Sequence, residues 1–164
     1  MTLRKGALAV ALCLGSLLLH VPAKAQDFHK GLDAFNAGEY AEAYANWWPL
    51  AVRGDAKAQA SIGFMFYSGK GVRQDDSQAL VWFGRAAEAG QPTAQFFLGL
   101  HYLYGKGVPV DRARAHAWCD ISLSNGYSEA LFCRDAVAAH LSADDMRRSS
   151  EFASEFYRTH AFRN

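Results

Sequence analysis

Residues 58–90 recur without a gap at positions 94–126, and eleven of the 33 aligned pairs are identical. Gly63/Gly99, Gly69/Gly105, Lys70/Lys106, Gly71/Gly107, Asp75/Asp111 and Trp82/Trp118 are among them. A 36-residue period of this kind marks one supersecondary unit that buries its apolar face on the next copy. The series extends backward through Ala43, Trp47, Ala51 and Gly54, and forward to Ala130.

The content of the unit is helical. Ala94, Leu98 and Tyr102 fall every four residues and so share one helix face. Gly99 beside that face allows close approach of a neighbouring helix. Gly105-Lys106-Gly107 ends the helix, because glycine takes left-handed backbone at little steric cost. Asp111 is placed to cap a second helix carrying Ala115 and Trp118, and Gly126 ends that one. Helices are expected at about 27–37, 40–53, 57–68, 76–89, 93–104, 112–125 and 128–140, with a last one from Ala143 to near His160. Pro49 should kink the second. Ser142 with Asp145 resembles a capping box. The expected fold is all-α: a right-handed solenoid of about four helix hairpins, with a C-terminal capping helix.

The first 25 residues read as a cleavable secretory signal. Arg4 and Lys5 precede an uncharged, largely apolar run from Gly6 to Leu19, and Ala23-Lys24-Ala25 supplies a small-x-small cleavage pattern. The run is shorter than the ~20 residues that span a bilayer, so no stable membrane insertion is expected after cleavage. The solenoid domain then occupies 26–164. The whole chain has 17 Lys plus Arg against 16 Asp plus Glu. Without Arg4, Lys5 and Lys24 it has 14 against 16, a net −2 that gives no support to nucleic-acid binding. The expected compartment is outside the cytoplasm: the periplasm, or beyond it as a secreted protein.

The motif Ala94-x3-Leu98-Gly99-x2-Tyr102-x2-Gly105-x-Gly107-Val108-x2-Asp111-x3-Ala115-x2-Trp118 resembles the Sel-one-like repeat (SLR) family, relatives of tetratricopeptide repeats. Ala58 to Trp82 carries the same signature. Gly31 to Ala43, with Trp47 and Pro49 to Ala51, looks like a shorter first unit. Unit three departs from the pattern at Cys119 and Ser122-Leu123, and unit four lacks the Gly-x-Gly-Val loop. The resemblance implies a non-catalytic adaptor or regulator that binds a protein or peptide partner in the bacterial envelope. An alternative comes from cysteine-rich relatives linked to β-lactam or peptidoglycan chemistry: a small envelope hydrolase or cell-wall-ligand protein. This chain lacks their cysteine in every repeat. A purely structural subunit of a larger assembly is a third possibility.

Candidate sites are few. Gly63 to Lys70 and Gly99 to Lys106 lack the spacing and the Ser or Thr of a phosphate loop. The chain has no Gly-x-Ser-x-Gly elbow, no His-Glu-x-x-His helix and no obvious Cys-His pair, so no catalytic residue and no cofactor is assigned. Cys119 and Cys133 each lie seven residues from Gly126, at similar height on two antiparallel helices. They form a disulfide candidate, with two buried thiols as the alternative. His116, Cys119, Cys133 and His140 could supply four zinc ligands, though not at familiar spacing. Phe97, His101 and Tyr104 lie at i, i+4 and i+7, parallel to Ser61, Met65 and Ser68 one unit earlier. A concave surface carrying Met65, Phe97, His101 and Tyr104 would suit a partner peptide. The competing reading makes this stripe a contact between adjacent hairpins.

Overall fold

The computed structural model describes residues 28–160, so the leader assigned to 1–25 and the cleavage point lie outside the described residues. Among the described residues all regular structure is helical. In chain order the helices are α1 (Phe28–Asn36), α2 (Tyr40–Val52), α3 (Ala56–Ser68), α4 (Asp76–Glu88), α5 (Pro92–Tyr104), α6 (Arg112–Ser124), α7 (Ala130–Ala138) and α8 (Ala143–His160). No described helix is long and apolar enough to cross a membrane.

Local chemistry sets the boundaries. Asp55, Asp75, Gln91 and Asp111 each accept a hydrogen bond from the amide three residues on, at 2.8–3.1 Å, and so cap α3, α4, α5 and α6. Gly69 and Gly105 end α3 and α5 with φ of 71° and 68°, a left-handed backbone that favours glycine. The box at α8 is closed: Asp145 N donates to Ser142 Oγ at 3.1 Å, and Ser142 Oγ donates to Asp145 Oδ2 at 2.7 Å. Helix α2 continues through Pro49.

The hairpins are held by one device used three times. A glycine on the first helix faces a buried side chain on the second. A Cβ at Gly31 would collide with the Trp47 indole, at Gly63 with the Phe83 ring, and at Gly99 with Cys119 Sγ. Trp47, Phe83 and Cys119 are spaced by 36 residues. Small residues at the same interval complete the close approach, with Ala43, Ala79 and Ala115 all fully buried. A second device ties one hairpin to the next: the Gln59 amide donates to the Ala51 carbonyl and the Gln95 amide to the Ala87 carbonyl, each at 3.1 Å. Both glutamines are buried, where an unbonded amide would be costly. One buried cluster holds Trp47 and Trp82 and the next holds Phe83 and Trp118, with half-buried Phe66 packed against both.

The repeat pattern loosens after α6. Helix α7 rests on α6 and α5, whereas α8 lies chiefly against α6. Phe152 and Phe156, one helical turn apart, bring their edges onto Trp118 with ring centroids 5.4 and 5.2 Å away. Ala153 packs against the same core. The outer face of α8 is ionic, with Arg147 paired to Asp144 and Glu151, and Arg158 to Glu155.

Candidate functional site

The first helices of successive hairpins open onto a hollow of about 470 Å³. Phe28, Leu32 and Phe35 of α1 form one wall, Ala60, Ser61 and Phe64 of α3 the middle, and Thr93 and Phe97 of α5 the other wall. Tyr127, just before α7, closes the far end, and Asn36, Lys57 and Gln91 supply polar edges. The volume falls in the range of ordinary ligand clefts. The aromatic floor is rigid: Phe97 stacks on Phe83 at 4.7 Å with the rings 4° from parallel, and Phe28 stacks on Trp47 at 5.7 Å. Trp47 is itself locked by its indole N–H, which donates to the Phe28 carbonyl at 3.1 Å. Burial raises the Tyr127 phenol above its ordinary value, helped by nearby Glu129, so it stays a neutral donor at physiological pH.

Of the four side chains expected on this surface, only Phe97 lines the hollow. Met65 and His101 are corrections to the expected stripe, because both are fully buried. The Gly-Lys-Gly loops cover them. The Met65 methyl lies beneath Gly71, and His101 Nδ1 donates to the Lys106 carbonyl at 2.7 Å. Helical spacing specifies direction around the axis, but not that the following loop folds back over that direction. Tyr104 is 65% exposed at the end of α5, beyond the hollow. The stripe that does line it starts one turn earlier, at Lys57 on α3 and Thr93 on α5, and includes Phe64 beside Ser61. Phe28, Leu32, Phe35, Phe64 and Tyr127 were missed. The first three carry a legible signal, the same i, i+4, i+7 spacing.

His101 is a fully buried imidazole. Its Nδ1 carries the proton toward Lys106, and its Nε2 has no partner. The rings of Phe83 and Tyr67 lie 5.7 and 5.9 Å away. Burial lowers its pKa, outweighing the opposing influence of the Lys106 carbonyl and Asp76.

The structure joins Cys119 to Cys133 in a disulfide, with Cα atoms 5.9 Å apart, and this bond ties α6 to α7. A zinc reading that uses both thiols is thereby corrected. His116 faces elsewhere, and His140 borders a shallow polar depression with Asp145 and Arg148. Among the described residues no three His, Cys, Asp or Glu side chains are placed to hold a metal.

The fold also makes a contact that spacing could not reveal. His116 Nδ1 and Ser149 Oγ, 33 residues apart, lie at 2.8 Å. A serine beside a histidine is the start of a nucleophile–base pair. Here Ser149 is only 2% exposed and sits inside α8, whose backbone amides are committed to the helix. No attacking path or oxyanion donor accompanies it. Burial lowers the His116 pKa, so the neutral ring serves as a clasp between α6 and α8.

The Sel1 repeat pattern matches residues 56–91 and 92–127, the α3–α4 and α5–α6 hairpins with their connecting turns. A Sel1 repeat protein from Oxalobacter formigenes is 32% identical with a TM-score of 0.60, over 66% of this chain and 85% of that one. This chain belongs to the Sel1 repeat family. A second similar structure is c5321, described as a protective antigen present in uropathogenic Escherichia coli strains displaying an SLR fold. It is 29% identical with a TM-score of 0.78, over 82% of this chain but only 30% of c5321. No curated protein matches the sequence. Sel1 repeat proteins generally mediate protein–protein interaction, and such solenoids are typically non-enzymatic.

Proposed function

We propose that this Sel1 repeat protein is an exported adaptor of the bacterial envelope, holding a partner protein in the hollow between α1, α3 and α5. The observation that carries the reading is the aromatic floor itself. Phe28, Phe35, Phe64 and Phe97 converge on one open cleft. Rigid aromatic anchors in a preformed cleft are what partner recognition uses most effectively. Export rests on the basic start, the short apolar run and Ala23-Lys24-Ala25, and the bond between Cys119 and Cys133 suits an oxidising compartment. Binding is favoured over hydrolysis because the one serine–histidine contact is enclosed.

Affinity capture from envelope extract tests the reading. Wild type is compared with Leu32→Asn/Ser61→Trp, two neutral changes at part-exposed positions of the cleft that leave the Phe97–Phe83 stack intact. A partner retained by wild type and lost by the variant at equal melting temperature supports the proposal. Equal capture by both removes it. The mass of the protein recovered from periplasm should correspond to a chain beginning at Gln26.

A further inference from the structure

Charge is distributed unequally between the cleft and the rest of the molecule. Several arginines of α6, α7 and α8 are neutralised on site: Arg114 by Asp111, Arg134 by Asp120 and Asp135, Arg148 by Asp111 and Asp145. The lysines around the cleft are not. Among the described residues Lys57 is the only ionisable cation lining it, and no carboxylate lines it. Lys70 Nζ lies 5.1 Å from the centre of the Phe35 ring, which lines the cleft, and 5.5 Å from Tyr40. Lys106 Nζ lies 4.4 Å from the Tyr67 ring, which packs on Phe64 and Phe97. None of the three ammonium groups meets a carboxylate among the described residues.

The repeat explains the pattern. Lys70 and Lys106 occupy the same position in the Gly-Lys-Gly loop, one period apart, and each loop turns its lysine back over an aromatic ring of the preceding unit's first helix. Cation–ring contact orients an ammonium group but leaves its charge uncompensated. The chain has more acidic than basic side chains after position 25, yet these three lysines set positive charge around an aromatic cleft that no described carboxylate lines.

We infer that the partner segment is acidic: aliphatic or aromatic residues that fill the cleft, flanked by Asp or Glu side chains that meet Lys57, Lys70 and Lys106. This rests on the cleft being the docking site and adds the chemistry of what docks there. Apolar burial supplies the affinity, and the carboxylates supply register and discrimination against basic segments.

A random-peptide library displayed on phage and selected on the purified protein tests both layers separately. The expected result is enrichment of Asp and Glu beside large apolar residues. Synthetic copies of such binders should bind about tenfold more weakly to Lys57→Glu/Lys70→Glu, weaken as salt rises, and be lost on Leu32→Asn/Ser61→Trp. Binders that need the cleft but are neutral or basic overturn the acidic partner and leave the docking site standing. Binders indifferent to Leu32→Asn/Ser61→Trp, or a selection that enriches nothing, overturn both. Melting curves of each variant, matched to wild type, confirm that the losses come from the surface.

Discussion

Units two and three share a frame and differ in what fills it. Gly63 and Gly99 occupy equivalent places, yet one receives the ring of Phe83 and the other the sulfur of Cys119. A ring buries far more apolar surface than a thiol. Unit three recovers the difference by bonding Cys119 to Cys133 and anchoring α7. Beneath the two Gly-Lys-Gly loops the same substitution of chemistry occurs: Met65 in unit two, His101 in unit three. Unit two is thus an apolar hairpin closed without a covalent bond. Unit three depends on a covalent tie and a buried imidazole, and it bears the irregular end of the solenoid. A repeat frame specifies where a group is needed, and different chemistry can occupy the place.

The strongest way to break this comparison is Phe83→Ala. Truncating a fully buried aromatic should cost about 3–5 kcal/mol, read as a fall in the urea midpoint at unchanged slope. A cost below about 1 kcal/mol would mean the ring is not what closes unit two. Next in size is Cys133→Ala. Opening a bond between cysteines 14 residues apart should remove about 3 kcal/mol. Reductant should bring wild type down to the variant's melting temperature and leave the variant unmoved. If reductant shifts neither, Cys119 acts as packing alone. Smaller still, Gln59→Met should cost about 1 kcal/mol for one buried amide hydrogen bond, and Gln95→Met more, because the Gln95 side-chain oxygen also accepts from the Asn125 amide at 2.9 Å. Equal costs would show that the Asn125 contact adds nothing to the second tie.

The most subtle test exchanges the residues under the loops. Burial lowers the folded-state pKa of His101 and His116 below the ordinary imidazole value of about 6.5. As pH falls, the unfolded chain takes up protons first, so stability is full above about pH 6.5 and is lost below it, toward the depressed folded values. Wild type should melt lower at pH 5 than at pH 7.5. His101→Met, which copies unit two, should reduce that drop and leave the remainder to His116. Met65→His should enlarge it. A drop unchanged in His101→Met would place the acid sensitivity elsewhere.

Much of this was legible beforehand, for reasons that are local. Asp75, Asp111 and Gly105 act within a few residues of themselves, and the eight helices lie close to where caps, glycines and period place them. The two cysteines equidistant from Gly126 are joined. The cleft was only half legible. Phe97 does line the hollow, but Met65 and His101 are buried, and nothing in their spacing reveals a loop lying across them. The α1 wall was overlooked because unit one lacks the full signature. The docking of α8 on α6, through Phe152, Phe156 and the His116–Ser149 contact, joins positions about 33 residues apart with no repeated spacing to announce it.

Repetition, capping chemistry and paired glycines determined on their own that this chain would be a stack of helix hairpins. Those signals act between near neighbours in sequence, or between copies of one unit. Tertiary structure alone decided which aromatics remain open to a partner, which histidine is fully buried and where the last helix rests. Each of those outcomes depends on what a distant segment covers, and coverage is a property of the packed molecule.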